Sequence, residues 1–411
     1  MSATPRTSFP RHKIRITLLE NIHAAAREEL VAAGYTVDVI TKALEGDDLA
    51  AVLAESHVVG LRSRTKLRSA QLEAASRLLA IGCFSVGTDQ VDIAAAAQRG
   101  IPVFNAPHAS TRSVAELTIG CVIGLARRLG DKSAKLHAGQ WDKSLSGAHE
   151  VRGRTIGLIG YGHIGQQVGL LAEAFGMRVL FHDIQKKLPL GLAKPQPTVE
   201  QLLDEADFVS LHVPETTLTR GMIGAPQLAR MKPGSYLLNL SRGSVVVIEA
   251  LRDALQKGHL GGAALDVYPQ EPTPTQAEWR SELAGLPNVL LTPHVGGNTE
   301  EAQRNIGIEV ASALTAFIDC GNSEGAVNFP PINLPPRENT HRVLSVHRNV
   351  PGVLASVTAI VSELGANIEA QQLGTNRDVG YLVMDVDRVL SDAVRERIAA
   401  LPVSIKTRLL Y

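Results

Sequence analysis

The chain has 411 residues, which at roughly 150 residues per domain predicts two or three domains. Hydrophobic residues make up 45% and charged residues 20%, enough apolar material for large cores, so disorder as the main state is excluded. Lys and Arg number 41, Asp and Glu also 41, and aromatic residues are only 4%. This balance argues against a surface for nucleic acid or for an anionic membrane.

The cysteines and the first residues favour a reducing cytoplasm. Cys83, Cys121 and Cys320 lie far apart in the sequence, so neither a disulfide framework nor a metal site is expected. The opening MSATPRTSFPRHK lacks the apolar segment of a signal peptide, and no run reaches the roughly 18 apolar residues of a membrane span. We therefore expect a cytoplasmic protein with no membrane or nucleic-acid partner.

From residue 14 the chain alternates short β-rich runs with helical ones. Strands are expected at 14–19, 36–40, 57–61, 78–82 and 101–104, and helices at 22–33, 49–55, 70–76 and 91–99. Such alternation with apolar strands predicts a parallel sheet covered on both faces. A long helix at 113–129, whose residues 119–125 are apolar almost all round, is expected to bridge to the next block.

A second alternating block predicts a doubly wound Rossmann domain of about six parallel strands. Its strands are expected at 155–159, 178–182, 208–212, 235–240, 262–267 and 289–292, with helices at 164–175, 199–204, 226–231 and 247–257. A helix at 300–320 follows the last of these strands.

The segment 328–339 (NFPPINLPPREN) holds four prolines in twelve residues and predicts an extended, semi-rigid linker. Beyond it, strands are expected at 342–347, 367–373, 380–386 and 404–410, with helices at 352–364 and 391–400. This βαββαβ order predicts a small ferredoxin-like domain.

The stretch GYGHIG at 160–165 is a candidate dinucleotide-binding loop. It follows a predicted strand and opens a predicted helix, as the fingerprint requires. Gly160 permits the tight turn, Gly162 lets a pyrophosphate approach the backbone, and Gly165 lets the helix pack against the strand. The pyrophosphate would lie at the N-terminus of that helix.

An acid stands where a ribose would be recognised. Asp183 ends the next predicted strand, 18 residues after Gly165. A carboxylate there accepts hydrogen bonds from the ribose hydroxyls and repels a 2′-phosphate, so it favours NAD over NADP. Lys186 and Lys187 follow closely and soften that preference.

Three polar residues each follow an apolar strand of the second block, where ligands of an open α/β sheet bind. They are Arg242, Glu271 and His294. Hydride transfer on a hydroxy acid needs a cation for the carboxylate, a base for the hydroxyl proton and a group that orients the base. The alternative is that Arg242 and Glu271 are surface charges and that His294 is a structural histidine.

These stretches resemble the D-isomer-specific 2-hydroxyacid dehydrogenases. The resemblance rests on GYGHIG (160–165), NLSRG (239–243), LDVYPQEP (265–272) and TPHVGG (292–297), four motifs in the family's order. It implies that Arg242, Glu271 and His294 are catalytic. It also implies cofactor contacts from Gly160, Gly162, His163, Ile164, Gly165, Asp183, Leu240, Ser241, Asp266, Val295, Gly296 and Gly297.

The resemblance also implies the domain plan. A discontinuous substrate-binding domain (1–109 and 298–336) would contain an inserted NAD-binding Rossmann domain (110–297), with a cleft between them, and a C-terminal ACT domain (337–411) would follow. The fold class is therefore α/β, with two doubly wound parallel sheets and a βαββαβ domain.

Within the family, this chain is most similar to members that act on a phosphorylated hydroxy acid. A phosphate needs additional cations, for which Arg62, Arg64 and Lys143 are candidates, with Ser63 as a donor. The family has an asparagine where this chain has Ser110, another candidate substrate contact. Trp141 would reach the active site of a neighbouring subunit, or else be an ordinary core side chain.

In the C-terminal domain, HRNVPGVL (347–354) joins a strand to a helix. The ACT resemblance implies an amino-acid-sensing module whose L-serine contacts are His347, Asn349 and, from a second copy, Asn367. The alternative is a dimerisation module without a ligand.

The resemblance implies a homotetrameric, NAD-dependent enzyme that oxidises 3-phospho-D-glycerate to 3-phosphooxypyruvate, the entry step of L-serine synthesis, with L-serine as allosteric effector. The reduction of 2-oxoglutarate is expected as a second activity of the same site. Two alternatives are a reductase of another short 2-keto acid and an NAD-sensing protein without turnover.

Overall fold

The computed structural model describes residues 9–272 and 279–411. The chain separates into two compact units. The first unit is made of two segments, the residues up to Ala109 and the segment Gln303–Tyr411. The second unit is the segment between them, Ser110–Ala302. Within the described residues, every helix is too short or too polar to cross a membrane.

The first unit contains a five-stranded parallel sheet in the order β2-β1-β3-β4-β5. Apolar clusters cover both of its faces, as the sequence predicted, and all its strands except the edge strand β2 are almost wholly buried. The strands are β1 (Arg15–Leu19), β2 (Thr36–Ile40), β3 (Val58–Leu61), β4 (Ala80–Cys83) and β5 (Val103–Phe104), and the helices are α1 (Ala24–Ala32), α2 (Gly46–Glu55), α3 (Ser69–Ala74) and α4 (Ile93–Gln98).

The second unit contains a parallel sheet in the order β12-β11-β10-β9-β6-β7-β8, so the strand order reverses between β6 and β9. That reversal point is where doubly wound folds bind their ligands. The strands are β6 (Thr155–Ile159), β7 (Arg178–His182), β8 (Lys194–Pro195), β9 (Phe208–Leu211), β10 (Tyr236–Asn239), β11 (Gly262–Leu265) and β12 (Val289–Leu291). The helices are α5 (Thr111–Ala126), α6 (Leu129–His137), α7 (His163–Ala174), α8 (Val199–Glu205), α9 (Ala225–Arg230) and α10 (Ile248–Gln256), and a short 3-10 turn spans Gly243–Val245.

Two features of the second unit differ from the prediction. The long helix ends at Ala126, because Arg128 adopts a left-handed backbone (φ 52°) and starts the separate helix α6. Helix α5 is also no bridge, since its buried face packs in the core of the second sheet. The short strand β8 was missed, because Lys194 and Pro195 have low strand propensity.

The C-terminal domain belongs to the first unit and has the predicted βαββαβ order. Its antiparallel sheet has the order β14-β15-β13-β16. Its two helices cover one face, and the other face packs on a cluster that includes Phe104, Phe317 and Phe329. The elements, with the long helix that precedes them, are α11 (Glu300–Cys320), β13 (Thr340–Arg348), α12 (Val353–Glu363), β14 (Ile368–Thr375), β15 (Val379–Asp387), α13 (Ser391–Ala399) and β16 (Ser404–Leu410).

The proline-rich segment 328–339 forms neither helix nor strand, as predicted, but its first half is not a free linker. Asn328, Phe329 and Ile332 are buried. The Asn328 side chain accepts a hydrogen bond from the Val103 backbone N–H (2.9 Å) and donates one to the Ile101 carbonyl (2.9 Å). The segment is therefore packed into the first unit.

A buried arginine anchors the C-terminal sheet. Arg342 donates to both oxygens of Asp385 at 2.6 and 2.8 Å. It also donates to the carbonyls of Cys320 (2.8 Å), Leu334 (2.7 Å) and Pro335 (2.9 Å). The guanidinium therefore ties β13 and β15 to the end of α11 and to the proline-rich segment.

We predict that Arg342→Met lowers the free energy of unfolding by about 3–5 kcal/mol, because Asp385 would keep a buried charge without a partner. Urea or thermal unfolding measures this. The control is Arg397→Met, whose exposed pair with Glu363 should contribute less than about 1 kcal/mol. Equal stability of the two variants would contradict the anchoring role.

Candidate active site

The glycine loop between β6 and α7 has the shape that a dinucleotide requires. Gly160 has φ 91°, and a side chain there would collide with the carbonyl of His212. A side chain at Gly165 would collide with the carbonyl of Gly160. At Gly162, by contrast, a Cβ would meet no atom within 4 Å. Two glycines are thus required by packing, and the third leaves open space for a pyrophosphate at the start of α7.

Asp183 directly follows β7 and lies against this loop. Its Oδ2 accepts from the Tyr161 backbone N–H (2.8 Å) and its Oδ1 from the Gln185 backbone N–H (2.8 Å). These bonds fix the carboxylate, and its remaining lone pairs are free to accept ribose hydroxyls. The loop and this acid together fit NAD.

Arg242 lies on a loop that a buried asparagine organises. The Asn239 carbonyl oxygen accepts from the backbone N–H (3.1 Å) and hydroxyl (2.9 Å) of Ser241, and its amide donates to the Arg242 carbonyl (3.0 Å). The Arg242 guanidinium donates to the Ser241 carbonyl (2.8 Å). A side chain at Gly243 would overlap the Tyr268 backbone, so the loops after β10 and β11 are in direct contact.

The structure brings Glu271 and His294 together, although 23 residues separate them in sequence. His294 Nδ1 lies 2.8 Å from Glu271 Oε2, and Glu271 Oε1 accepts from the Tyr268 backbone N–H (3.1 Å). Because a carboxylate only accepts, Nδ1 is assigned as the donor. That assignment leaves Nε2 as the ring atom that can exchange a proton with a substrate.

This pair changes the pKa of both groups. The hydrogen bond to Glu271 raises the pKa of His294 above 6.5, against the opposing effect of burial. Burial alone would raise the pKa of Glu271, but the hydrogen bond and charge of His294 outweigh it, so the pKa of Glu271 is lowered. The pair therefore favours an ionised Glu271 and the imidazolium form of His294.

Asp266 holds the loop that carries His294. This buried carboxylate accepts from the Thr292 hydroxyl (2.6 Å) and from the backbone N–H groups of Val295 (2.9 Å) and Gly296 (2.8 Å). His294 itself has a left-handed backbone, φ 55°, a strained conformation that these bonds support. The sequence placed Asp266 at the cofactor; its geometry also gives it this positioning role.

The other predicted contacts of the second unit border the same edge of the sheet. Leu240 is buried in the Arg242 loop, and His163 and Ile164 open α7. Ser110 is buried at the start of α5, where a Cβ on Gly297 would lie 3.2 Å from the Ser110 Cβ. Their roles stay predictions.

Lys143 and Trp141 lie together after α6. The Lys143 ammonium is 5.8 Å from the centre of the Trp141 ring. Trp141 is 75% exposed, so the alternative that it is a core side chain is wrong.

In the first unit, Arg62, Ser63 and Arg64 directly follow β3. Arg62 is partly buried, and the other two are exposed. Burial lowers the pKa of Arg62, and the negative charge of Glu20 opposes that shift.

The three residues predicted to bind an effector do not converge within one chain. His347 is buried at the C-terminal end of β13, and the Asn349 amide, just beyond it, donates to the Asn376 carbonyl (2.7 Å). Asn367 precedes β14 at the opposite end of the sheet, beside the residues that pair with the start of β13. A common site would therefore require a second copy, as the resemblance implies.

Sequence reasoning missed the residues that orient the catalytic candidates. Asn239 belongs to the NLSRG motif and Tyr268 to the LDVYPQEP motif, but the sequence alone predicts no separate role for either residue. An asparagine within an otherwise apolar predicted strand is the signal that could have drawn attention to Asn239, since a buried amide needs hydrogen-bond partners.

We predict that Glu271→Gln lowers the pKa of the His294 ring, since the negative charge that favours the imidazolium is removed. An NMR titration of the histidine signals measures this. Glu249→Gln, an exposed change on α10, should leave the His294 signal unchanged. An identical His294 titration in both variants would contradict the pairing.

Comparison with known proteins places this geometry in a family. The family model described as D-isomer specific 2-hydroxyacid dehydrogenase, NAD binding domain, matches residues 119–296, and one described as AHAS small subunit-like ACT domain matches residues 344–406. These matches confirm the predicted Rossmann and ACT folds.

Curated relatives match over nearly the whole chain. A D-3-phosphoglycerate dehydrogenase of Dictyostelium discoideum is 51% identical over 99% of this chain and 100% of its own length. One from Escherichia coli K12 is 48% identical over the same shares. The crystal structure of an Aquifex aeolicus D-lactate dehydrogenase, complexed with NAD and lactic acid, is similar with a TM-score of 0.67 and 29% identity, covering 77% of this chain and 99% of that one. The chain therefore belongs to the D-isomer specific 2-hydroxyacid dehydrogenase family, among relatives named D-3-phosphoglycerate dehydrogenase, and is an NAD-dependent oxidoreductase with a C-terminal ACT domain.

Proposed function

We propose that this enzyme oxidises 3-phospho-D-glycerate to 3-phosphooxypyruvate with NAD, at the entry to L-serine synthesis. The observation that carries the chemistry is the Glu271–His294 hydrogen bond (2.8 Å), because it leaves Nε2 of a histidine with a raised pKa for the substrate hydroxyl. The names of the near full-length relatives support the choice of substrate.

In the proposed reaction, His294 Nε2 takes the proton of the C2 hydroxyl while the C2–H bond breaks and the C2 carbonyl forms. NAD, when bound, accepts the hydride that leaves C2. Arg242 binds the substrate carboxylate and polarises the C2 oxygen. Glu271 stabilises the imidazolium and keeps the ring in the Nδ1–H tautomer. In the reverse reaction, His294 returns the proton.

The phosphate requires further cations. We favour Arg62 and Ser63 as its ligands, with Arg64, Lys143 and Ser110 as additional candidates for substrate contact. The same cations could bind the second carboxylate of 2-oxoglutarate, so we propose its reduction to 2-hydroxyglutarate as a second activity of this site.

We predict that His294→Ala lowers turnover about 100-fold or more, the usual contribution of a general acid–base group. The measurement is NADH oxidation with 3-phosphooxypyruvate, compared with hydroxypyruvate, pyruvate and 2-oxoglutarate. Reduction needs the imidazolium, so its rate should fall as pH rises through the raised pKa of His294, whereas oxidation should gain rate. The control is His137→Ala, at the end of α6.

Each outcome bears on a different alternative. A preference for an unphosphorylated keto acid would replace the substrate, and the absence of turnover with NAD still bound would identify a sensor. Near wild-type turnover in His294→Ala would contradict the proposed base.

For regulation, we propose that L-serine binds at an interface between two ACT domains and inhibits the enzyme allosterically. His347 and Asn349 would come from one copy and Asn367 from the other. Their positions at opposite ends of one sheet support a site of this kind.

We also propose a homotetramer that works in the cytoplasm. Exposed apolar side chains on α6 and just after it support a subunit contact in the second unit: Leu129 (61%), Leu136 (56%), Trp141 (75%) and Leu145 (87%). The three free cysteines are compatible with a reducing compartment.

We predict that Asn349→Ala raises the L-serine concentration needed for half-maximal inhibition about tenfold, through loss of a polar contact, while uninhibited turnover stays unchanged. Inhibition curves measure this. Asn333→Ala, an exposed change outside the ACT sheet, is the matched control. Identical curves for both variants would place the effector elsewhere.

A further inference from the structure

A buried glutamate faces the loop that carries the proposed phosphate ligands. Glu20 directly follows β1 and is only 7% exposed. Strand β1 pairs with β3, with Leu18 opposite Gly60, so the residues after both strands lie side by side. Glu20 and Asn21 both have left-handed backbones, φ 63° and 53°. Two successive strained residues are typical of a functional constraint.

The Glu20 carboxylate binds two consecutive backbone N–H groups of the loop. Oε2 accepts from Arg64 at 2.9 Å, and Oε1 accepts from Thr65 at 2.7 Å. Thr65 is fully buried, and its hydroxyl accepts from the Leu44 backbone N–H (3.2 Å). The second half of the loop is therefore fixed to the sheet.

This arrangement decides which groups of the loop are left for a ligand. Consecutive backbone N–H groups commonly bind anions, but here a carboxylate of the protein already occupies them. A phosphate at this loop would therefore be bound by side chains rather than by these two N–H groups, and we favour the Arg62 guanidinium and the Ser63 hydroxyl. The Lys66 ammonium donates to the Ser63 carbonyl (2.7 Å), which also restrains the backbone at Ser63.

The charge of Glu20 also acts on Arg62. Its negative charge favours the partly buried guanidinium, yet it also reduces the positive field that a phosphate would meet. Positioning and charge therefore predict opposite changes in phosphate binding when Glu20 is replaced by a neutral side chain. That opposition makes the role of Glu20 testable.

We propose that Glu20 is a positioning residue for substrate recognition: it fixes residues 62–65 so that Arg62 and Ser63 bind the phosphate, and it thereby sets the preference for phosphorylated over unphosphorylated keto acids. This inference rests on the proposed function and deepens it.

The test compares Glu20→Gln with wild type in the full-length enzyme. Glutamine has one acceptor oxygen, so one of the two loop bonds is lost together with the charge. We expect KM for 3-phosphooxypyruvate to rise about tenfold, as for the loss of a hydrogen bond to a charged group. For hydroxypyruvate, which carries no phosphate, both the turnover number and KM should stay within about twofold of wild type.

Two further variants complete the design. Glu20→Asp keeps the charge but shortens the side chain, so it should also raise KM for the phosphorylated substrate; it serves as the test if Glu20→Gln does not fold. Glu29→Gln, an exposed carboxylate on α1, is the control and should behave as wild type. Thermal unfolding checks that each variant is folded.

The outcomes separate this inference from the proposed function. A fall in KM for 3-phosphooxypyruvate in Glu20→Gln would show that Glu20 acts only through its charge, and an unchanged preference in both Glu20 variants would overturn the inference alone. If wild type itself shows no preference for the phosphorylated keto acid, the proposed function fails, and the inference fails with it.

Discussion

The hydrogen bonds that Asp266 accepts hold the catalytic candidates of this enzyme in place. The loop after β12 leaves the sheet with a left-handed residue, His294, and with backbone N–H groups that need acceptors. A buried N–H without a partner costs roughly 1–3 kcal/mol. Because Asp266 accepts the backbone N–H groups of Val295 and Gly296 and the Thr292 hydroxyl, it fixes one conformation of the loop. The imidazole then meets Glu271, and the pKa shifts of both groups follow from that contact.

The same physical solution recurs at other edges of the two parallel sheets. Asp183 accepts backbone N–H groups next to the glycine loop, and Glu20 accepts them from the loop after β3. In each case the acid directly follows one strand and organises a loop that follows a neighbouring strand. Within each parallel sheet, the loops that follow the strands lie at one edge, which is why an acid after one strand can organise the loop after its neighbour.

Side chains of the ACT domain donate hydrogen bonds to backbone carbonyls at the end of α11. Arg342, Tyr381 and Arg408 donate to the carbonyls of Cys320 (2.8 Å), Gly321 (2.7 Å) and Ile318 (3.3 Å). These carbonyls have no partner within the helix, and two of the donors are cations, which favour a helix C-terminus. The sheet and the helix end therefore stabilise each other.

Local sequence pattern predicted most of the strand and helix order, and short motifs pointed to the glycine loop, Asp183 and the three catalytic candidates. It missed α6 and β8, where a left-handed Arg128 and a Lys-Pro strand override propensity. It also predicted an extended, semi-rigid linker at residues 328–339 and not the packing of its first half, since burial of Phe329 depends on a surface formed elsewhere in the chain. Only the tertiary structure could show that Asp266, Asn239 and Glu20 hold the functional loops. A hydrogen bond from a backbone N–H carries no sequence signature at the donor, so which acid accepts it is decided when distant strands pair.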